Sequence, residues 1–245
     1  MATPVVHVKE SEDDVSNSLC ELVISRASAA IKTKGLFVIG VSGGSAAKFL
    51  CNGLPSAVTE WDKWRVFFCD ERYVPFDDPE CTYTVYKNGL LSKVPALADY
   101  VYPINPAIPL EEAADEYLGK IRTVFPGDGI PRFDVLVLGM GPDGHTCSLF
   151  PDHPLLKEDE QLVAPIADSP KPPPGRITLT FPVINNASCA VFASCGAGKA
   201  DIVQKVLEGS GDNPLPAAMV RPTQGEVVWF LDVAAASKLK SQHKL

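Results

Sequence analysis

Four short apolar runs, at residues 36–41, 64–69, 133–138 and 188–195, constrain this chain more than any other feature. Each is rich in β-branched, aromatic and small apolar residues and closes on glycines or charged residues, the pattern of a strand bounded by turns. The run at 36–41 is apolar throughout except for Gly40, and a run without polar alternation marks a strand covered on both faces, as parallel sheets require. Helical patterns lie between the runs. Ser11 and Asp14 make a capping-box-like start for a helix over 11–34, with Val15, Leu19, Leu22, Val23, Ala30 and Ile31 on one face. Further helices are expected from Ala46 to Gly53, over 111–125, and from Lys199 to Gly209. A last strand is expected over 227–233, followed by a basic tail over 238–245. Alternation of this kind with right-handed crossovers predicts one α/β domain over residues 1–245, built on a mostly parallel, doubly wound, Rossmann-like sheet with helices on both faces.

The densest chemical signal follows the third run. Gly139-x-Gly141-x-Asp143-Gly144-His145 places a glycine turn, an aspartate and a histidine at the carboxyl end of a buried strand, the end at which open α/β sheets bind ligands. Taken literally, the glycine spacing is that of a dinucleotide-binding turn, but that turn needs a long helix directly behind it. Pro151 and Pro154 arrive too soon for one.

Three other strand ends carry unusual residues. Ser42, Gly43, Gly44 and Ser45 lead from the first run into a helix, the arrangement that holds phosphate on free backbone N–H groups. Asp70, Glu71 and Arg72 close the second run, and Gly196 to Lys199 the fourth. In a parallel sheet all four ends share one rim, so a small phosphorylated substrate and general-base chemistry are expected there. Arg176 opens an alternating segment, 176–181, expected near a sheet edge or with one polar face exposed. Pattern alone does not place Arg176 on the rim. The stretch 170–175, Pro-Lys-Pro-Pro-Pro-Gly, reads as a stiff surface loop.

Composition narrows the partners. The 245 residues carry a net charge of −8, which argues against nucleic acid. The longest apolar stretches fall well short of the ~20 residues of a membrane span. Seven cysteines without a CxxC pair read as reduced, buried thiols. A cytoplasmic protein is therefore expected, although the final His-Lys-Leu loosely resembles a peroxisomal address. A monomer or weak dimer is expected. The acidic and histidine residues Asp152, His153 and His145 match no common metal-ligand spacing.

The ordered set of Ser42–Gly43–Gly44–Ser45, Asp70–Glu71–Arg72, the 139–151 motif ending Ser148-Leu149-Phe150-Pro151, Arg176-Ile177-Thr178-Leu179-Thr180 and Gly198-Lys199 resembles the 6-phosphogluconolactonase family. That resemblance implies a modified Rossmann-like sheet and hydrolysis of 6-phospho-D-glucono-1,5-lactone to 6-phosphogluconate in the oxidative pentose phosphate pathway, with neither metal nor organic cofactor. It implies His145 as general base, with Asp143 orienting the imidazole or serving only as a turn former. Arg176, Lys199 and the N–H groups at Gly44 and Ser45 become the phosphate clamp, and Ser42, Gly43, Asp70 and Arg72 complete the substrate site. Either Arg72 or a backbone N–H group of the 42–45 turn would meet the oxyanion. The related deaminase/isomerase branch, which acts on an amino sugar phosphate, carries a glutamate where this chain has Phe150 and a tyrosine where it has Arg72. In the opposite direction, Cys81-Thr82 stands where lactonases often have Ser-Asn. A deaminase/isomerase and a non-catalytic sugar-phosphate sensor remain the alternatives.

Overall fold

The computed structural model describes residues 3–211 and 213–240. The tail expected over 238–245 lies largely outside them, as does the His-Lys-Leu ending. In chain order the main elements are β1 (Val5–Lys9), α1 (Glu12–Lys34), β2 (Phe37–Val41), α2 (Ser45–Gly53), β3 (Trp64–Phe68), β4 (Asp70–Arg72), α3 (Thr82–Tyr86) and β5 (Val101–Tyr102). They continue as α4 (Leu110–Val124), β6 (Val135–Leu138), β7 (Val163–Ile166), β8 (Arg176–Leu179), α5 (Phe181–Ile184), β9 (Cys189–Ser194), α6 (Ala200–Glu208) and β10 (Glu226–Asp232).

The strands form a seven-stranded sheet of order β1-β10-β9-β6-β2-β3-β5 and a three-stranded sheet of order β4-β8-β7. Every pairing in the larger sheet is parallel. Its central strands read as continuous apolar runs because both faces are covered: β2, β6 and β9 are buried at every residue. Consecutive strand residues point to opposite faces. Phe67 meets Tyr117 of α4 and Phe68 meets Tyr83 and Tyr86 of α3, so these helices cover opposite faces. The Tyr117 hydroxyl donates to the Phe68 carbonyl at 3.0 Å, giving its buried oxygen a partner.

The first helix starts as its sequence dictates. Ser11 Oγ accepts from the Asp14 N–H at 3.1 Å, and Val15, Leu19, Val23, Ala27 and Ala30 form its buried stripe. No helix follows Gly144 directly. Residues 146–149 make a tight reversal instead, with Thr146 and Leu149 bridged.

The smaller sheet corrects two expectations. Asp70, Glu71 and Arg72 do not simply end the second run; they form β4, paired antiparallel with β8. The 176–181 segment neither lies at an edge nor exposes a polar face. β8 is the middle strand of its sheet and is buried throughout. Its polar positions are buried because they are partnered. Thr178 Oγ1 donates to the Leu179 carbonyl at 3.0 Å and accepts from the Ser148 N–H at 3.2 Å. The strands β1, β5 and β7 carry too little pattern to be seen in advance. Apolar residues of both sheets share one contiguous core, with Leu179 and Ile177 of β8 packed into it.

Candidate active site

Two neighbouring strands lead the chain in opposite directions. From β2 the chain proceeds to β3 and β5 on one side, whereas β6 is followed in the sheet by β9 and β10 on the other. Such a switch point leaves a crevice beyond the carboxyl ends of the two strands, where open α/β sheets bind ligands. Here the two loops bordering it are the 42–45 turn and the glycine loop that follows β6.

A cavity of about 220 Å³ occupies this crevice. Ser42, Gly43, Gly44 and Ser45 line it from β2, and Gly139, Met140, Gly141 and His145 from β6. Ser194, Cys195 and Lys199 enter from β9, and Asp70, Arg72 and Arg176 from the small sheet. The antiparallel pairing of β4 with β8 sets Arg176 opposite Arg72 and so brings it to the rim. Every expected site residue except Asp143 therefore lines the cavity, and Asp143 reaches it through the histidine.

The imidazole is held from one side. His145 Nδ1 lies 2.5 Å from Asp143 Oδ1. Burial alone would raise the Asp143 carboxyl, but hydrogen bonds from Lys171 and His145, with the charge of the imidazole, hold it at about 2. The carboxylate is thus ionised and can only accept, which puts the ring proton on Nδ1 and leaves the lone pair on Nε2. No described residue hydrogen-bonds Nε2. Burial pushes the imidazole below its ordinary value, Asp143 opposes this, and Lys171 adds to the lowering. The ring is neutral at pH 7. Gly141 makes room for it, because a β-carbon there would fall 2.0 Å from both Cε1 and Nδ1. The Phe150 ring packs against the imidazole, with 4.7 Å between ring centres.

The 42–45 turn exposes the start of α2. Gly44 has φ +65°, which L side chains seldom adopt, and neither a side-chain cap nor an acidic residue covers the first turn of the helix. Ser42 Oγ is buried without a hydrogen-bond partner among the described residues. Lys199 Nζ donates to the Met140 carbonyl at 2.7 Å. Burial lowers its pKa, and the nearby Lys171 lowers it further. Neither Lys199 nor Arg176 forms an ion pair with a carboxylate among the described residues.

The arginines differ. Arg72 Nη1 is paired with Glu80 Oε2 at 2.7 Å. Arg176 is only 3 % exposed and spends its donors on carbonyls, Nε on Pro173 at 3.1 Å and Nη2 on Pro172 at 3.0 Å and Lys171 at 3.2 Å. Asp70 Oδ2 accepts from Ser148 Oγ at 2.9 Å. Between Asp70 and Arg72, Glu71 turns inward. It accepts from the N–H groups of Arg72, Thr82 and Tyr83 at 2.7–2.8 Å, which fastens β4 to the start of α3. Burial pushes its carboxyl up to about 7 against those donors.

Sequence reasoning missed Lys171, whose ammonium lies 2.9 Å from Asp143 Oδ1. It sits in the stretch expected to be a stiff surface loop, and its one legible signal was being the sole cation among five residues of proline and glycine. His153, outside the cavity, pairs with Asp168 at 3.1 Å and caps the Leu155 N–H.

Fold and cleft together define a parallel α/β protein with a histidine–aspartate pair and two cations lacking carboxylate partners among the described residues, all on one switch-point crevice. Comparison with known proteins narrows this. Residues 10–229 match the family described as glucosamine-6-phosphate isomerases/6-phosphogluconolactonase. The chain is 50% identical to a 6-phosphogluconolactonase of Bos taurus, over 98% of this chain and 96% of that one, and 49% identical to a human 6-phosphogluconolactonase with the same coverage. Among solved structures, 6-phosphogluconolactonase from Trypanosoma cruzi superimposes with a TM-score of 0.85 at 26% identity, covering 98% of both chains. A monomeric glucosamine-6-phosphate deaminase shares the fold at a TM-score of 0.76 and 17% identity, covering 96% of this chain and 99% of that one. The chain belongs to the glucosamine-6-phosphate isomerase/6-phosphogluconolactonase family.

Proposed function

We propose that this cleft hydrolyses 6-phospho-D-glucono-1,5-lactone to 6-phosphogluconate, a carboxylic ester hydrolysis carried by His145. One observation supports the reading above the others: an imidazole with Nδ1 committed and Nε2 unpartnered shares a cavity with two cations that have no carboxylate of their own among the described residues. A dianionic phosphate satisfies Lys199 and Arg176 together, the first as a point charge and the second through a guanidinium edge. The uncapped start of α2 and Ser42 Oγ add neutral donors in the same cavity. Curated relatives about 50% identical over nearly the whole chain carry the lactonase name.

The chemistry follows from the placement. Nε2 takes a proton from water as its oxygen attacks the lactone carbonyl carbon. The resulting oxyanion needs a donor, either Arg72 or a backbone N–H of the 42–45 turn. Collapse restores the carbonyl and breaks the bond to the ring oxygen, which takes the proton back from Nε2. The new carboxylic acid then ionises and releases one proton to solvent. Asp143 holds the ring in a single tautomer throughout. All of these residues come from one chain, so a second subunit is not needed. The apolar ring of Phe150 against the imidazole speaks against the deaminase reading, which uses a carboxylate at that place.

Acid release from freshly generated 6-phosphogluconolactone tests the proposal. The protein should accelerate it above the spontaneous rate. No acceleration would overturn the reading, as would ammonia release from glucosamine 6-phosphate in its place. Binding of 6-phosphogluconate without turnover would instead identify a sensor.

A further inference from the structure

The loop that carries Lys171 is fixed with more hydrogen bonds than a surface connection needs. Arg176 donates to three of its successive carbonyls, at residues 171, 172 and 173. Ser169 Oγ donates to the Lys171 carbonyl at 2.8 Å and accepts from the Lys171 N–H at 3.3 Å. Both backbone groups of Lys171 are therefore tied before its side chain is considered. An exposed lysine gains little from an ion pair because ordering its long chain offsets the attraction. Here much of that ordering is already done by the loop, and the side chain is only 33% exposed.

The ammonium sits behind the imidazole, 2.9 Å from Asp143 Oδ1 and 3.2 Å from His145 Nδ1. Since Nδ1 already donates its proton to Asp143, the second contact is between two donors and is not a hydrogen bond. It brings a full positive charge against the ring. Resting on the lactonase reading above, we propose that Lys171 is a positioning residue for His145: its ammonium grips Asp143 and lies against Nδ1, which fixes the ring with Nε2 toward the cavity and opposes its protonation.

The charges around the ring show why such a group is useful. Asp143 on the same loop and Asp70 from β4 both favour the imidazolium. With those two carboxylates alone the ring would tend to keep a proton and lose its function as a base. Lys171 is the nearest opposing charge. Lys199, Arg72 and Arg176 line the same cavity, as does the thiol of Cys147, and the two arginines are engaged with Glu80 and with the loop carbonyls. Arg176 thus has a second task. It lines the cavity with one edge and anchors the Lys171 loop with the other.

Histidine NMR and pH profiles of kcat/KM test this on the full chain and on Lys171→Gln and Lys171→Arg. The His145 Cε1–H signal is assigned by its loss in His145→Gln. In Lys171→Gln the ring titration and the acid limb of kcat/KM should both move to higher pH by about one unit, the usual effect of a charge at this range. Lys171→Arg should return both toward the parent values. A ring titration unmoved in Lys171→Gln overturns the proposal, and so does a loss of turnover that is uniform in pH with the titration unmoved. The NMR titration uses no substrate. A parent protein that fails to open the lactone would therefore sink the functional reading, while the ring titration would still decide whether Lys171 sets the protonation of His145.

Discussion

The two walls of the cavity are built on opposite principles. The wall from the large sheet is made of loop backbone and short side chains, and it leaves groups wanting: the first N–H groups of α2, Ser42 Oγ, and Lys199 with a single carbonyl partner. The wall from the small sheet has most of its groups engaged within the protein, Arg176 keeping Nη1 for a ligand. Arg72 is paired with Glu80, Asp70 with Ser148, and Arg176 with three carbonyls. A wall with unmet donors gains by taking up an anion, whereas a wall with met donors holds its shape without one. The difference separates residues that only recognise a ligand from residues that also keep the cleft in place. It predicts that substitutions on the first wall reduce binding or turnover at little cost to stability, and that those on the second cost both.

The largest effect should come from the ring between the walls. His145→Gln is expected to lower kcat for lactone opening by about 10²–10⁴-fold, with 6-phosphogluconate affinity kept within severalfold; unchanged turnover would remove the ring from the reaction. Lys199→Met should raise KM and lower kcat/KM by about 10–100-fold, the worth of one charge-assisted hydrogen bond. Its melting temperature should not fall, since burial already disfavours that ammonium. Arg176→Met is the contrasting case on the second wall. It strands the carbonyls of Pro172 and Pro173, while that of Lys171 keeps Ser169 Oγ, and should cost about 2–3 kcal/mol of stability, a drop of roughly 4–12 °C in thermal melting. Equal melting temperatures for these two variants would break the distinction between the walls. Glu71→Gln should destabilise by about 1–3 kcal/mol, because an amide sets a donor against the N–H groups that Glu71 now accepts.

The smallest expected effect is in pH. Burial lowers the His145 pKa below its ordinary 6.5. The acid limb of kcat/KM should therefore have its midpoint below 6.5, which a profile with a stable ester analogue would show. The folded state binds this proton less readily than the unfolded chain, so the contribution to stability is complete above 6.5. It declines as pH falls below 6.5 toward the folded value, and the decline stops once both states are protonated.

The same contrast explains what the sequence disclosed. Each element of the first wall is announced locally, by an apolar run, a glycine and the start of a helix, and β2, β6, β9 and α2 fall within two residues of where their patterns place them. The glycine loop and its histidine were legible for that reason. Nothing local announces the second wall. The pairing of Asp70 with Thr178 and of Arg72 with Arg176 joins segments remote in sequence, so Arg176 had no position until β8 was seen to run antiparallel. The alternation in β8 suggested an exposed face because pattern counts polarity and not partners, and Thr178 is buried with its hydroxyl bonded. Lys171 was hidden for a related reason: prolines mark a stiff loop but say nothing about what the loop leans on.

The strand order carries a further consequence, for synthesis. β1 precedes every other described strand in the chain, and its sole ladder neighbour among the described residues is β10, which follows them all. The rim likewise waits for Lys199 before its final cation arrives. A nascent chain that stops before Lys199 lacks a finished cleft, and β1 stays without its ladder partner until β10 has been made. Contacts between such distant segments form slowly, and truncation within β10 should unseat β1 as well.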